Sequence, residues 1–260
     1  MSWWQGLVLG VVQGLTEFLP VSSSGHLVVA EALVGFSSSG VMVEVVLHVA
    51  TLLAVVLVYR NALWDLTWGT VTGDRKAWAY VGLLAVATVP AGLVGVLLKD
   101  FFERAFESLL LVGVNFLVTG SFLWSTRGRR QSATAEAPSA GRAVVIGIAQ
   151  ALAILPGISR SGATVSAAMW LGVDPVRAAE FSFLLAIPVI AGAAMLQLPD
   201  LSGNVVAVGT GPLALGFLAA LFAGVLAIRV FIAVLKQRAF HRFAPYCWTV
   251  GVLTILGATL

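Results

Sequence analysis

The stretch Leu19-Pro20-Val21-Ser22-Ser23-Ser24-Gly25-His26 decides the fold, because it places hydroxyls, a glycine and an imidazole inside otherwise apolar sequence. A second stretch, Leu155-Pro156-Gly157-Ile158-Ser159-Arg160-Ser161-Gly162-Ala163-Thr164, does the same in the other half of the chain. Lipid cannot satisfy the backbone groups of such a polar break, so the break must be buried in protein or line a water-filled cavity. We therefore interpret the two breaks as two walls of one site.

The composition is that of an integral membrane protein. Of the 260 residues, 59% are hydrophobic and only 10% are charged, whereas soluble proteins carry about 25% charged residues. The long apolar runs indicate helices, since a lipid-facing barrel would show short alternating strands. The net charge of +3 is small and lies in loops. Positive charges in loops are explained by the topology of a membrane protein, whose cytoplasmic loops are basic. No nucleic-acid partner is expected.

The lengths of the apolar runs predict an all-α polytopic membrane protein with six transmembrane helices and two re-entrant helical hairpins. A helix from Ser2 to Phe18 would reach about 25 Å, short of the hydrocarbon core of about 30 Å. Pro20 disfavours helix at the residue before it, and the piece that follows the serines is shorter still. Hairpins are predicted over 2–35 and 143–172, and spans over 41–59, 77–98, 108–126, 178–197, 207–228 and 243–260.

The two halves, 1–126 and 143–260, show weak internal similarity on either side of a polar linker at 127–142. At an offset of 137 positions, the aligned pairs are Gly10 with Gly147, Gln13 with Gln150, Leu15 with Leu152, Ser22 with Ser159, Ser24 with Ser161 and Gly25 with Gly162. This pattern predicts that the chain arose by duplication.

Loop charges predict how the halves are oriented. Loops 60–76, 127–142 and 236–242 hold ten lysines and arginines, whereas loop 99–107 holds two beside three acids and loop 198–206 holds only Asp200. The positive-inside rule places the basic loops, including the linker, in the cytoplasm. Three spans in each half then give an inverted-topology repeat, with the first hairpin on the outer side and the second on the inner side. Broken helices of such repeats meet near the midplane of the bilayer.

Gln13 and Glu17 lie on one face of the first broken helix, because they are four residues apart. A carboxylate within a bilayer needs a partner or a cation. The residues leave two interpretations open: a structural hydrogen-bond pair between helices, or a metal ligand or group that orients a base.

The serines and His26 of the first break allow a nucleophile beside a base, with Glu17 orienting the imidazole. The backbone amides of Ser22, Ser23 and Ser24, at a helix N-terminus, also favour an anion. The alternative is a serine cap beside a histidine satisfied by backbone.

Arg160 in the second break predicts an anion cradle. Ser159 and Ser161 flank the guanidinium and Thr164 follows it, and guanidinium binds phosphate oxygens in bidentate fashion. A structural Arg–Glu ion pair is the alternative.

Residues of the full spans form a second group of candidates. Glu44, His48 and Thr51 share one helical face, and Glu180 lies in the corresponding span of the second half. They either support the site or hold helices together.

The run from Gln13 to His26 and the run from Pro156 to Thr164 closely resemble the undecaprenyl-diphosphate phosphatases of the bacitracin-resistance type. The resemblance covers nearly the whole chain, including Glu44-Val-Val-Leu and the segment Glu180–Pro188. It implies a bacterial inner-membrane enzyme that removes the terminal phosphate from the C55 isoprenoid diphosphate. That reaction recycles the lipid carrier for wall synthesis. The resemblance further implies a site open to the periplasmic side and a divalent cation, Ca²⁺ or Mg²⁺.

Residue by residue, the resemblance puts the family's acidic pair on Gln13 and Glu17. Some members carry glutamate at the first position, so Glu17 is the main candidate metal ligand and Gln13 a second one. The catalytic serine candidate matches Ser23, the histidine matches His26, and the phosphate-binding arginine matches Arg160. The serines and threonine beside them, Ser22, Ser24, Ser159, Ser161 and Thr164, are the expected phosphate donors. His48 stands where a glutamine is usual.

The hypothesis that follows is a serine mechanism. Ser23, deprotonated by His26 and oriented through Glu17, attacks the terminal phosphorus, and water later frees phosphate. His26 as the nucleophile is the rival assignment.

Two other classes of protein are open. A lipid transporter or flippase uses the same inverted-repeat architecture. The run Ser24-Gly25-His26 is similar to a motif of the acid-phosphatase superfamily, but that motif has a histidine at the position of Ser166. The sequence leaves the oligomeric state open, with a homodimer among the alternatives.

Overall fold

A computed structural model describes residues 1–34, 42–128, 134–197 and 209–259, and these residues are α-helical with no β-strand among them. The helices are α1 Trp3–Phe18, α2 Ser23–Val34, α3 Met42–Val58, α4 Arg60–Val71, α5 Arg75–Leu97, α6 Lys99–Phe106, α7 Leu109–Ser125, α8 Ala140–Leu152, α9 Arg160–Trp170, α10 Pro175–Gln197, α11 Thr210–Lys236 and α12 Ala244–Thr259, with a 3-10 turn over Phe240–Phe243. Val41, residues 129–133 of the linker, the loop 198–206 and Leu260 lie outside the described residues.

The prediction of an all-α polytopic membrane protein is confirmed. Among the described residues, α5, α10 and α11 are long and apolar enough to cross a membrane. The bent pairs α3–α4, at 77°, and α6–α7, at 97°, raise the candidate spans to five. Six crossings and two re-entrant hairpins stay predictions.

Two segments predicted as loops contain helices. Helix α4 occupies most of 60–76, and α6 occupies most of 99–107. In α6 the charged residues lie on one face, while Phe102 and Ala105 on the other face are buried. The polar residues indicated a loop, but this helix is amphipathic. Helix α11 also extends to Lys236, eight residues beyond the predicted end of its span.

The first helix of each half packs against a long helix of the other half. Helix α1 lies along α11, and α8 lies along α5. A Cβ atom on Gly10 would lie 2.2 Å from the carbonyl oxygen of Gly216, and one on Gly147 would lie 2.5 Å from that of Ala87. Small residues let membrane helices approach this closely. Gly10 and Gly147 are also an aligned pair of the sequence repeat, so both contacts use the same position.

Helix α7 satisfies the backbone of the second break. The Asn115 side chain donates a hydrogen bond to the Pro156 carbonyl at 2.8 Å, and Thr119 Oγ1 donates to the Gly157 carbonyl at 2.8 Å. Thr119 Oγ1 also accepts from the amide of Ser159 at 3.0 Å. These bonds hold an irregular segment inside an apolar helix bundle, where an unpaired backbone group is costly.

Candidate active site

The two polar breaks touch each other. Ser161 Oγ donates to the carbonyl oxygen of Leu19 at 3.2 Å, which joins the second break to the first. Arg160 Nη2 donates to Glu17 Oε1 at 3.0 Å. Residues far apart in the chain therefore form one site, with one contribution from each half.

A helix begins at the end of each break, and in both cases a serine hydroxyl caps the N-terminus of that helix by accepting from the amide three residues later. Ser22 Oγ accepts from the amide of Gly25 at 3.3 Å, and Ser159 Oγ accepts from the amide of Gly162 at 3.0 Å. These serines are an aligned pair of the repeat, and so are the glycines. Ser22 has a φ of +69°, a left-handed conformation that is uncommon for a residue with a side chain. Such strain is typical of a functional turn.

Glu17 is the centre of the site. Its Oε2 accepts from Ser23 Oγ at 2.6 Å and from Gln13 Nε2 at 3.1 Å, and His48 Nε2 lies 3.7 Å from it. Its Oε1 accepts from Arg160. Both carboxylate oxygens are thus engaged, and the residue is only 6% exposed.

The Arg–Glu ion pair that the sequence left open as an alternative is present. Its side chains are 13% and 5% exposed. Arg160 Nη1 also donates to the carbonyl oxygen of Ser182 at 3.3 Å. A guanidinium has more N–H donors than these two contacts use, so Arg160 can still bind an anion while it holds Glu17.

His26 is bonded to backbone beside the Ser22 cap, which is the alternative that the sequence left open for the first break. Its Nδ1 is 2.8 Å from the carbonyl oxygen of Ser22, and its Nε2 is 2.8 Å from the hydroxyl of Tyr246. A carbonyl only accepts, so Nδ1 donates, and in the neutral ring Nε2 accepts from the tyrosine. The Ser23 hydroxyl donates to Glu17. The geometry therefore pairs Ser23 with the carboxylate.

A cavity of about 250 Å³ lies beside these groups. The predicted residues that line it are Glu17, Ser23, Ser24, Glu44, His48, Ser159 and Arg160. Helices α5, α6 and α10 supply apolar wall residues, among them Ala91, Phe106 and Ile190. The cavity thus has one polar wall, at the breaks, and one apolar wall.

The other predicted residues do not line the cavity. Gln13 and Thr51 are buried behind Glu17 and His48. Thr164 Oγ1 is 2.6 Å from Ser182 Oγ, which ties α9 to α10. Glu180 accepts from Arg177 at 3.0 Å, away from the cavity.

Sequence reasoning missed Gln150 and Tyr246 as parts of the site. Gln150 lines the cavity, and Tyr246 bonds to His26. The repeat alignment of Gln13 with Gln150 was a usable signal for the first. No pattern in the sequence pointed to Tyr246.

The donor set around Glu17 does not form a metal site built by the protein alone. The described residues contain no group of three or more His, Cys, Asp or Glu side chains that could hold an ion. The Glu17 oxygens are already engaged by Arg160, Ser23 and Gln13. Calcium takes six to eight oxygen ligands, waters among them, so an ion bound here would need water or substrate oxygens as well.

The fold and the site define a helical membrane protein whose two halves meet around a partly buried arginine, a buried carboxylate and a serine. The chain belongs to the bacitracin resistance protein BacA family, whose model matches residues 6–253. It is 43% identical to an undecaprenyl-diphosphatase of Desulfosudis oleivorans, over 96% of this chain and 97% of the relative. It is 39% identical to one from Carboxydothermus hydrogenoformans, over 98% and 97%. The identity to undecaprenyl-diphosphatase 1 of Bacillus cereus is 39%, over 96% of both chains.

Proposed function

We propose that this chain is an undecaprenyl-diphosphatase, which hydrolyses the C55 isoprenoid diphosphate to the monophosphate and inorganic phosphate. Full-length similarity to relatives with that name supports the activity. The observation that carries the proposal is the convergence of Ser23, Glu17 and Arg160 on one cavity wall. They supply a nucleophile, a base and an anion-binding group.

Arg160 and the capped helix ends would bind the diphosphate. Helices α2 and α9 begin at the two breaks. Helix N-termini attract anions through free amides and the helix dipole. Phosphoryl transfer depends on this positioning and charge neutralisation.

Ser23 is the proposed nucleophile and Glu17 its base. Ser23 Oγ attacks the terminal phosphorus, its proton passes to Glu17 Oε2, and the bond to the bridging oxygen breaks. Undecaprenyl phosphate leaves with the bonding electrons, and a phosphoserine remains. Glu17 passes this proton to the departing undecaprenyl phosphate and is ionised again. Water then gives a proton to Glu17 as its oxygen attacks the phosphorus of the phosphoserine. The bond to Ser23 Oγ breaks, Glu17 returns the proton to that oxygen, and inorganic phosphate leaves. This proton route replaces the one through His26, because Ser23 donates directly to the carboxylate.

An apolar groove offers a path for the prenyl chain. It lies between α5 and α10 and is lined by Val81, Leu84, Ala85, Thr88, Val89, Gly92, Leu93 and Pro188. The neighbouring residues Ala91 and Val189 line the cavity. A diphosphate held at the breaks can thus leave its tail between helices.

We place the protein in the bacterial inner membrane with the cavity open to the periplasm. Glu44, Phe106 and Gln197 line the cavity and lie at helix ends away from the basic loops. The positive-inside rule puts those loops in the cytoplasm. The swapped packing of α1 on α11 and α8 on α5 supports an inverted repeat. Six crossings and two re-entrant hairpins complete this proposal.

The divalent cation remains a proposal. Magnesium is commonly held by one or two carboxylates together with substrate phosphates, so a cation arriving with the diphosphate suits Glu17 better than a preformed cage.

Phosphate release by purified protein in detergent tests the function. Wild-type protein should release phosphate from C55 and C15 diphosphates, and chelator should suppress the release if a cation takes part. A transporter would release none, because detergent leaves no second compartment. Absence of release with cation present would overturn the proposal.

A further inference from the structure

Gln150 is a buried amide that lines the cavity and has no hydrogen-bond partner in the described part of the chain. It lies in the last turns of α8, is 2% exposed and lines the cavity. Neither Nε2 nor Oε1 has a hydrogen-bond partner among the described residues. Buried polar groups are nearly always paired, so each exception needs an explanation.

The repeat counterpart of Gln150 shows what this side chain lacks. Gln13 Nε2 donates to Glu17 Oε2, four residues along α1. Four residues after Gln150 stands Ile154, which cannot accept. The amide of α8 is therefore presented to the cavity that Glu17, Ser23 and Arg160 also line.

We infer that Gln150 binds the diphosphate of the substrate, with its Nε2 donating to a phosphate oxygen. This inference rests on the proposed function. A diphosphate presents acceptor oxygens, which match the amide N–H groups, and a bond to a charged acceptor is stronger than a neutral one. Gln150 adds a neutral donor from α8 to the charged donor that Arg160 supplies from α9.

The first experiment measures phosphate release and binding with Gln150→Leu. Its kcat/KM for C15 diphosphate should fall about 10- to 100-fold. The Kd for a methylene-bridged C15 diphosphate analogue, titrated by thermal shift in detergent, should rise by a similar factor. The melting temperature without ligand should stay equal or rise, because leucine removes two unpaired buried groups.

Gln150→Glu keeps the size of the side chain but replaces the donor with a carboxylate oxygen. It should weaken analogue binding more than leucine does, and it supplies the test if Gln150→Leu does not fold. Gln237→Leu, on an exposed glutamine after α11, is the matched control and should leave kinetics and binding unchanged.

The outcomes are separable. Unchanged analogue binding in both Gln150 variants overturns the inference. A lower melting temperature with unchanged analogue binding also overturns it, because the role is then structural. If the wild type releases no phosphate, the proposed function fails, and the analogue titration still decides whether Gln150 binds a diphosphate.

Discussion

The hydroxyl of Ser23 donates to Oε2 of Glu17 at 2.6 Å across the break between α1 and α2. This contact places a base next to a candidate nucleophile, and Arg160 holds the other oxygen of the same carboxylate. The proton of the serine therefore has a defined acceptor before substrate arrives.

Ser23→Ala should lower kcat by a factor on the order of 10³ or more, because it removes the nucleophile. Initial rates of phosphate release measure this effect. Ser24→Ala, one residue along on the same cavity wall, should retain far more activity. Equal losses in the two variants would assign the serines a shared binding role.

The covalent intermediate should lie on serine. After brief reaction with substrate labelled in its terminal phosphate, the label should survive acid, since phosphoserine is acid-stable and phosphohistidine is not. Peptide mapping should place it on Ser23 and should find none in Ser23→Ala. An acid-labile label, mapped to His26 after an alkaline quench, would make the imidazole the nucleophile.

His26→Ala should reduce turnover through position rather than through attack. The imidazole joins the strained Ser22 to Tyr246 on α12. Tyr246→Phe breaks only the outer bond and should cost about 0.5–1.5 kcal/mol of stability, which denaturation in detergent measures. Labelled phosphoserine should still form in both variants, and its absence from His26→Ala would give the histidine a direct chemical role.

Arg160→Ala should abolish turnover and also destabilise the fold, because it leaves the buried Glu17 without its counter-charge. Removing one partner of a buried ion pair costs about 3–5 kcal/mol. Arg177→Ala is the matched control, since its 3.0 Å pair with Glu180 is far more exposed and such pairs contribute about 0–1 kcal/mol. Equal destabilisation in the two variants would contradict the claim that buried Glu17 depends on Arg160 for its counter-charge.

The sequence was sufficient to predict the parts of the site that are local. Prolines, serines and glycines in apolar runs marked both breaks, and the spacing of Gln13 and Glu17 put them on one face. The hydrogen bond between them follows from that spacing.

Contacts that depend on how helices rotate against each other could not be predicted. Ser23 had two candidate partners, His26 three residues ahead and Glu17 six residues behind. The bend of the chain at the break places the Ser23 hydroxyl next to the carboxylate of Glu17. Asn115 and Thr119 lie four residues apart on one face of an apolar span, but that spacing does not identify the second break as their partner. The segment 99–107 was predicted to be a loop because it is rich in charged residues. Those residues lie on one face of the amphipathic helix α6.

The swapped packing of the two halves leads to a last prediction, on Gly147 and Gly10. A Cβ atom at either position would clash with a backbone carbonyl oxygen of the opposite helix. The distance between the two atoms would be 2.5 Å for Gly147 and 2.2 Å for Gly10. Backbone cannot yield as a flexible side chain can, so Gly147→Val and Gly10→Val should each lower the melting temperature in detergent and reduce activity. Overpacking of this kind costs about 1–3 kcal/mol. Gly82→Val on α5 is the control, because a Cβ there would meet no atom of the described residues within 4 Å. If the two glycines are equivalent positions of a repeat, both variants should be affected while the control is spared. A large loss at one glycine only would contradict that equivalence.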